Sequence, residues 1–301
     1  MKKIKKMFHI THKGCMDGGC CDYIVTTYCK KMDIELETHL AYPCDNILED
    51  FENSLYDING DILVLTDLVF SNDIMKELAK SFPIMVVIDH HKTARDCVSG
   101  IDIHHCEIDE THSASVLAWK YFYPFEEVPV LLQYVEDRDL WRNKLPNSEA
   151  VNAALWEVLD LDKYLWDISP LVTEGEKIIK NKEKAVNDIV GDISKLPTIT
   201  LDGNKVPCVK LGEDRSLLSD IGHLVAKTTG TGICALYFIS SDGDKLIISL
   251  RSTDIDVSEI AKKYSGGGYK NAAAFSFDLN NDDIDEDNDI LSILKVLKYK
   301  D

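Results

Sequence analysis

The feature that most restricts the fold is an apolar run that ends in three ionisable residues. Residues 85–88 read Met-Val-Val-Ile without a polar break, and Asp89, His90 and His91 follow at once. A short unbroken apolar run is typical of a strand buried on both faces, as in a parallel sheet covered by helices. In such sheets the ligand crevice lies beyond the carboxyl ends of the strands. Because an acid and two imidazoles are costly to bury without partners, the triplet indicates a metal site, with a polar surface turn as the alternative.

Two further apolar runs end in the same way. One spans residues 62–65 and leads to Asp67, and the other lies near the N-terminus and leads to His12. If these strands are parallel neighbours, their carboxyl ends meet at one edge of the sheet, together with Asp17 and His90. Carboxylates and imidazoles are ligands for borderline and hard divalent ions. The sequence therefore predicts a divalent-metal site at this edge.

Strand and helix patterns alternate in the first third of the chain. The predicted strands cover residues 6–12, 35–42, 62–65 and 85–88, and the predicted helices cover 20–32, 45–56 and 71–80. This alternation favours an α/β layered domain with a mainly parallel sheet. Two helical patterns follow residue 111, and the second ends in Asp137 and Asp139.

The rest of the chain predicts a connector and a smaller second domain. Residues 170–195 form one long charged helical pattern, which suits a connector, and Pro197 ends it. Hairpins predicted about Asp202-Gly203 and Asp242-Gly243 indicate a mixed α+β unit. We therefore expect a parallel-sheet α/β domain over residues 1–168, a helical connector over 169–195 and a smaller α+β domain over 196–301.

Four motifs follow one another along nearly the whole chain. They are HKGCMDGG at 12–19, LVLTDL at 63–68, VVIDHHKT at 86–93 and SGGGYKNAAAF at 265–275. Their order and spacing resemble the DHH phosphoesterase superfamily, and the last motif resembles the glycine-rich signature of that family's associated C-terminal domain. The resemblance implies a phosphoester hydrolase with a catalytic N-terminal domain and a substrate-binding C-terminal domain.

The resemblance also implies two divalent ions with Asp67 between them. Two ions about 3.5–4 Å apart can share a nucleophile derived from water and hold a phosphoryl oxygen. Two Mn²⁺ ions are the expected cofactor, with Mg²⁺, Zn²⁺ or Fe²⁺ as alternatives. The first ion would be held by His12, Asp67 and a further residue of the first motif, and the second by Asp17, Asp67, His90 and Asp137.

Further roles, and one departure from the family pattern, concern single residues. By resemblance, His91 would face the phosphate and Asp89 would orient a histidine. The resemblance favours Asp137 over Asp139 as the ligand after the helix. Many family members have an aspartate where this chain has Cys15. As a thiolate ligand Cys15 would turn the first site toward zinc or iron, and as a wall residue it would leave that ion weak or absent.

The glycine-rich motif predicts a phosphate or nucleotide pocket in the second domain. Successive glycines let backbone amides approach an anion closely, although a flexible loop is the commoner cause of such a run. The family usually has His where Tyr269 stands and Gly where Ala274 stands, so the substrate preference can differ. The predicted pocket residues are Arg251, Gly266, Gly267, Gly268, Tyr269, Lys270 and Asn271.

Tryptophans, charge and cysteines restrict the partners. The four tryptophans are expected to pack in the core or between domains rather than to stack on bases. With a net charge of −19 the chain is not suited to gripping long duplex nucleic acid, which is bound mainly through Lys and Arg. Nine cysteines without a Cys-x-x-Cys pair indicate a reducing compartment, and no apolar run is long enough for a membrane helix. We expect a cytoplasmic protein without membrane contact, and a homodimer is one option for its assembly.

The function that we expect is hydrolysis of short oligonucleotides or small nucleotides by a metal-dependent phosphodiesterase. The alternatives within the family are an exopolyphosphatase, a cyclic dinucleotide phosphodiesterase and a nucleotide phosphatase. A pyrophosphatase is disfavoured, because a nucleotide pocket would be superfluous for pyrophosphate. A nucleotide-binding regulator that has lost catalysis is the non-enzymatic alternative. Cys15 favours that alternative, and the otherwise complete ligand set argues against it.

Overall fold

The chain divides into two compact units, each with one β-sheet. The computed structural model describes residues 4–52, 60–158, 160–212, 214–241 and 243–278. The units are Met1–Ile179 and Lys180–Asp301. The division falls within the segment expected to be a connector, so its residues belong partly to each unit.

The first unit alternates strands with helices. Its strands are β1 (Lys6–His12), β2 (Glu35–Ala41), β3 (Ile62–Thr66), β4 (Met85–Asp89) and β5 (His105–Ile108). Its helices are α1 (Met16–Met32), α2 (Ile47–Glu52), α3 (Asn72–Ser81), α4 (Ala94–Cys97), α5 (Ala114–Phe122), α6 (Val130–Asp139) and α7 (Ser148–Leu155), and α8 (Ser169–Val190) begins in it. The helix predicted at 45–56 corresponds to α2, and the part of it beyond residue 52 lies outside the described residues.

The sheet of the first unit is entirely parallel, in the order β2-β1-β3-β4-β5. Every residue of β3 and β4 is buried, because helices cover both faces of the sheet. Along β3, Ile62 and Val64 face the core formed with α1, α5, α6 and α7, whereas Leu63 and Leu65 face the core formed with α3. The prediction of a parallel α/β domain is confirmed.

One strand of this sheet was not predicted. β5 has the sequence His-Cys-Glu-Ile and pairs with β4 at the edge of the sheet, where its residues remain partly exposed. An edge strand is partly exposed to solvent, so polar residues are tolerated in it. The sequence of β5 therefore lacks the hydrophobic run by which the central strands are recognised.

The second unit is a smaller mixed domain. Its strands are β6 (Thr198–Leu201), β7 (Asn204–Lys210), β8 (Ile233–Ile239), β9 (Lys245–Ser252), β10 (Gly267–Tyr269) and β11 (Ala272–Asp278), and its helices are α9 (Leu218–Thr228) and α10 (Val257–Lys263). The order is β10-β11-β9-β8-β7-β6, and only β7 and β8 pair in parallel. Both predicted hairpins are present, β6–β7 and β8–β9.

The connector helix ends earlier than predicted. α8 stops at Val190, because Gly191 adopts a left-handed φ of +62° and its N–H bonds to the carbonyl of Asn187. A separate 3₁₀ turn, Ile193–Lys195, precedes Pro197. Glycine rather than proline therefore terminates the helix. None of the described helices combines the length and the apolar composition that crossing a membrane requires.

Candidate metal centre

Three neighbouring strands end in register at one edge of the parallel sheet. Thr66, the last residue of β3, pairs with Thr11 of β1 on one side and with Ile88 of β4 on the other. Thr11, Thr66 and Ile88 are each followed by a residue that lies at the same edge of the sheet. These following residues are His12, Asp67 and Asp89.

Asp67 is the centre of the cluster. It has a left-handed φ of +57°, which is uncommon for a residue other than glycine, and its N–H bonds to the carbonyl of Ile88 at 3.0 Å. The residue is 1% exposed, and neither carboxylate oxygen has a hydrogen-bond partner among the described residues. Burial, with the nearby charge of Asp17, raises the pKa of Asp67 to about 7, although His90 opposes the shift. A buried carboxylate in a left-handed backbone conformation that accepts no hydrogen bond is costly unless something binds it.

His90 lies among three carboxylates. Its Nε2 is 3.2 Å from Asp139 Oδ2, 3.3 Å from Asp67 Oδ1 and 4.0 Å from Asp17 Oδ2. Burial alone would lower the pKa of His90, but the carboxylates outweigh it and raise the pKa to about 9. The surroundings of this imidazole therefore favour positive charge.

Asp17 is held by the amino end of α5. Its carboxylate accepts hydrogen bonds from the N–H of Ala114 at 2.7 Å, from the N–H of Ser115 at 3.1 Å and from the Ser115 hydroxyl. The following Gly18 is necessary, because a Cβ there would lie 2.3 Å from the carbonyl oxygen of His12. The Asp-Gly pair thus lets α1 start directly against the end of β1.

The geometry favours Asp139 over the predicted Asp137 as the ligand after α6. Both oxygens of Asp137 accept backbone hydrogen bonds, from the N–H of Lys144 at 2.9 Å and of Leu145 at 3.2 Å. Burial would raise the pKa of Asp137, but these hydrogen bonds lower it. Asp137 therefore fastens the loop after α6, whereas the carboxylate of Asp139 lies against His90. Asp139 replaces Asp137 in the candidate ligand set.

His12 and Cys15 lie on the other side of Asp67. His12 Nδ1 is 3.9 Å from Asp67 Oδ2, and one donor atom from each of His12, Cys15 and Asp67 lies within 4.8 Å of the others. Burial and the charge of Asp67 raise the pKa of the Cys15 thiol to about 12. Without a cation the thiol is therefore protonated, and a bound cation would favour the thiolate.

Asp89 orients the two histidines that follow it. Its Oδ1 accepts hydrogen bonds from the N–H of His90 at 2.6 Å and of His91 at 3.1 Å, and lies 2.8 Å from His91 Nδ1. The hydrogen bond to Asp89 raises the pKa of His91, whose side chain is 51% exposed. The imidazole of His91 is thus held at a fixed place at the mouth of the cluster.

The donor set fits divalent cations. Three overlapping groups of donor atoms occur in the described residues: His12, Cys15 and Asp67; Asp17, His90 and Asp139; and Asp67, Asp89, His90 and His91. Carboxylate and imidazole donors suit Mn²⁺ and related ions. The two oxygens of Asp67 accept no hydrogen bond among the described residues, and a bound cation would explain this.

Sequence reasoning missed Glu136 as a supporting residue. Its Oε2 accepts a hydrogen bond from the N–H of Ser113 at 3.0 Å and lies 3.0 Å from His112 Nδ1, and its Oε1 pairs with Arg142 at 2.7 Å. Glu136 thereby joins α6, which carries Asp139, to the turn that holds Asp17. Nothing in the local sequence distinguishes Glu136 from a solvent-facing glutamate, so only the tertiary contact reveals it.

In the second unit the glycine motif forms a strand rather than a flexible loop. A Cβ at Gly266 or Gly268 would lie 2.2 or 2.5 Å from a backbone oxygen of β11, so side chains are excluded there, whereas Gly267 faces open space. Tyr269 is opposite Ala272, which is opposite Arg251, so these three side chains share one face of the sheet. Tyr269 is 81% exposed.

The turn between β10 and β11 contains the other two predicted pocket residues. The carbonyl of Lys270 accepts a hydrogen bond from the N–H of Val257 at 2.8 Å, and that of Asn271 accepts one from Ser252 at 3.1 Å. The predicted pocket residues therefore lie together at one end of the second sheet.

The expectation for the tryptophans holds only for Trp119, which is 5% exposed. Trp141, Trp156 and Trp166 are 76%, 63% and 57% exposed. An indole buried in a core and one on a surface loop cannot be distinguished by residue type alone.

Comparison with known proteins gives distant likenesses. No protein-family model matches the chain. The uncharacterized protein R106 of Acanthamoeba polyphaga mimivirus is 26% identical over an alignment 281 residues long, and the alignment covers 88% of this chain and 66% of that protein. The chain thus spans slightly less than two thirds of the length of this relative.

Three solved structures of similar arrangement have TM-scores below 0.5. An uncharacterized protein from Helicobacter pylori G27 gives 0.44 at 12% identity, covering 98% of each chain. The pGpG-specific phosphodiesterase PggH from Vibrio cholerae gives 0.44 at 13% identity, covering 96% of this chain and 98% of that one. RecJ in complex with Mn²⁺ from Thermus thermophilus gives 0.45 at 13% identity, covering 98% of this chain and 52% of that one.

In its motifs the chain resembles the DHH phosphoesterases. At these levels of similarity the likeness assigns no activity, and the functional argument depends on the residues themselves.

Proposed function

We propose that the protein is a divalent-metal-dependent phosphoesterase that hydrolyses short oligonucleotides or small nucleotides. The observation that carries the proposal is the state of Asp67, whose two buried carboxylate oxygens accept no hydrogen bond among the described residues, although Oδ1 lies 3.3 Å from His90 Nε2. His12 and Cys15 lie on one side of this carboxylate, and His90 lies on the other. The arrangement suits two cations with Asp67 shared between them.

The two ions would take overlapping ligand sets. Mn²⁺ is the favoured ion, and a thiolate at Cys15 would favour zinc or iron at the first position instead. When bound, the ions would polarise a phosphoryl oxygen and lower the pKa of an attacking water. The first ion would be held by His12, Cys15 and Asp67, and the second by Asp17, Asp67, His90 and Asp139.

The chain's own residues would orient and neutralise the phosphate. The hydrogen bond that His91 donates to Asp89 raises the pKa of His91, so the half-exposed imidazole can carry positive charge toward a phosphate oxygen. Asp89 also fixes the backbone of the Asp-His-His segment, which limits how far His91 can move. His91 would therefore bind the phosphate, and Asp89 would position it.

Features of the second unit and the overall charge support a short substrate. We propose residues 1–168 as the catalytic domain and residues 196–301 as the substrate-binding domain. The exposed ring of Tyr269 and the guanidinium of Arg251 share a sheet face, with the small Ala272 between them. An aromatic ring beside a cation suits a nucleoside phosphate.

We also propose a cytoplasmic location, which is consistent with the nine free cysteines.

The test is Asp67→Asn, which removes the shared charge and keeps the shape. We expect the variant to bind fewer Mn²⁺ ions per chain in isothermal titration. We also expect it to hydrolyse none of four candidate substrates, which are a dinucleotide, adenosine bisphosphate, a cyclic dinucleotide and polyphosphate. Arg251→Ala is the matched control, because it should weaken nucleotide binding while it leaves the Mn²⁺ stoichiometry intact. Hydrolysis by Asp67→Asn within a few-fold of the wild type would contradict the proposal. If the wild type cleaved polyphosphate and none of the nucleotides, an exopolyphosphatase would be favoured. If the wild type bound nucleotides but hydrolysed none of the substrates, a regulator would be favoured.

A further inference from the structure

The exposed loop after α6 is joined to Asp137 by several hydrogen bonds. The carbonyl of Asp137 accepts hydrogen bonds from the N–H of Arg142 at 2.9 Å and of Asn143 at 3.1 Å, and its carboxylate accepts from the next two N–H groups. Three non-glycine residues of this loop have positive φ: Trp141 at 54°, Asn143 at 47° and Asn147 at 58°. Such conformations cost free energy and persist where the surroundings impose them.

Trp141 is the most exposed tryptophan of the chain, at 76%. The guanidinium carbon of Arg138 lies 5.0 Å from the centre of its ring, so a cation lies near the indole. The N–H of Trp141 bonds to the carbonyl of Arg138 at 3.0 Å, which ties the two residues together. A large aromatic surface is thus presented to solvent on backbone that is already ordered, and binding would cost little further entropy.

The position of this indole relates it to the metal centre. Trp141 follows Asp139 by two residues, and consecutive Cα atoms are about 3.8 Å apart, so the two Cα atoms are separated by no more than about 7.6 Å. Asp139 Oδ2 lies 3.2 Å from His90 Nε2 within the cluster. The indole is therefore attached to the same short segment as a candidate ligand of the cluster.

The residues around Trp141 indicate what it could bind. Residues 142–144, Arg-Asn-Lys, are all exposed and polar, so the indole does not belong to an apolar patch of the kind that protein partners cover. Arg138 and Lys144 supply cations on either side of the indole in the sequence, whereas Arg142 is paired with Glu136 at 2.7 Å. An isolated aromatic ring among cations suits the flat face and the negative charge of a nucleotide.

We propose that Trp141, supported by Arg138, is a stacking surface for a nucleobase of the substrate whose phosphate lies at the His90–Asp139 side of the cluster. This inference rests on the proposed function and extends it, because it requires a substrate with a base close to the reacting phosphate. Every base has a π-face, so the surface selects nucleotides over polyphosphate without selecting among bases.

The experiment compares Trp141→Ala with Trp156→Ala, which removes another exposed tryptophan at the end of α7. A dinucleotide that carries 2-aminopurine serves as the probe, because stacking on an indole quenches its fluorescence. We expect Trp141→Ala to abolish the quenching and to raise KM for the dinucleotide roughly 5- to 140-fold, the factor that corresponds to a stacking loss of about 1–3 kcal/mol. Trp156→Ala should behave like the wild type, and Trp141→Phe should fall between the two.

Two readouts separate stacking from a structural effect and from failure of the proposed function. Mn²⁺ stoichiometry and the thermal midpoint should be unchanged in Trp141→Ala. Equal quenching and equal KM in Trp141→Ala and Trp156→Ala, with an active wild type, would overturn the stacking surface alone. A wild type that binds Mn²⁺ but neither hydrolyses nor quenches the probe would overturn the proposed function and the stacking surface with it.

Discussion

At the scale of single residues, two aspartates of one helix end have different surroundings. Asp137 is buried and bonded to the backbone of the following loop, whereas Asp139 has an oxygen beside His90. An α-helix turns by about 100° per residue, so side chains two positions apart point in nearly opposite directions. Only one of the two carboxylates can therefore face the cluster.

Asp139→Asn should reduce the number of bound metal ions, whereas Asp137→Asn should lower the free energy of unfolding. For Asp139→Asn we expect fewer bound Mn²⁺ ions and a fall in the rate of hydrolysis of roughly 100-fold or more. The reason is that an activating metal ion lowers the activation barrier by several kcal/mol. For Asp137→Asn we expect unchanged Mn²⁺ stoichiometry and a loss of about 1–3 kcal/mol in the free energy of unfolding, because the amide has only one acceptor oxygen and the N–H of Lys144 or Leu145 loses its partner. Isothermal titration and urea unfolding measure the two quantities, and the reverse pattern would restore Asp137 as the ligand.

His9 should make stability depend on pH. The imidazole is fully buried, with Nε2 2.8 Å from Thr66 Oγ1 and Nδ1 3.6 Å from Asp22 Oδ1. Burial lowers the pKa of His9 below its ordinary 6.5, and Asp22 only partly offsets the shift. Below pH 6.5 the unfolded chain therefore takes up a proton that the folded protein resists, so the free energy of unfolding falls as the pH drops.

The measurement compares the wild type with His9→Gln, which cannot titrate. Urea unfolding at about pH 8 and at about pH 5.5 should show that the stability advantage of the wild type over His9→Gln shrinks at the lower pH. Other titrating groups are common to both proteins and cancel in the difference. An advantage that stays constant between the two pH values would mean that His9 does not control this dependence.

At the scale of elements, two helical glycines should respond in opposite ways to alanine. A Cβ at Gly175 of α8 would lie 1.8 Å from the carbonyl oxygen of Ala150 in α7, whereas nothing lies within 4 Å of a Cβ at Gly19 of α1. Gly175→Ala should lower the free energy of unfolding by about 1–3 kcal/mol through overpacking. Gly19→Ala should raise it by up to about 1 kcal/mol, because alanine is the better helix former. Chemical denaturation of both variants checks the signs, and stabilisation by Gly175→Ala would show that the two helices are not so closely packed.

At the scale of the whole molecule, the charge of −19 should restrict the substrate to short chains. Binding to long duplex DNA depends on phosphate neutralisation by Lys and Arg, and a strongly acidic protein repels it. In a competition assay at about 0.15 M salt, we expect short RNA to inhibit dinucleotide hydrolysis. Long duplex DNA at the same nucleotide concentration should leave dinucleotide hydrolysis unchanged. Inhibition by the duplex that weakens steeply with added salt would instead reveal a basic groove.

The sequence by itself determined the parallel sheet and the edge at which the candidate ligands meet. Apolar runs of four or five residues mark strands buried on both faces, and parallel strands must present their carboxyl ends together. His12, Asp67 and His90 could therefore be placed at one edge without a structure. The two hairpins of the second unit were predictable as well, because their turns follow local backbone preferences at Asp202-Gly203 and near Gly243.

Only the tertiary structure decided the features that depend on contacts between distant segments. The direction of the end of α6 selects Asp139 over Asp137, and it is set by the packing of that helix rather than by its sequence. The proximity of Cys15 to His12 and Asp67, within 4.8 Å, arises from the way in which α1 starts against β1. The support that Glu136 gives comes from the N–H of Ser113, 23 residues away in the chain, which no local pattern encodes. Local propensity and periodicity can be read along the chain, whereas burial, helix orientation and hydrogen-bond partners are set by segments that lie far apart in sequence.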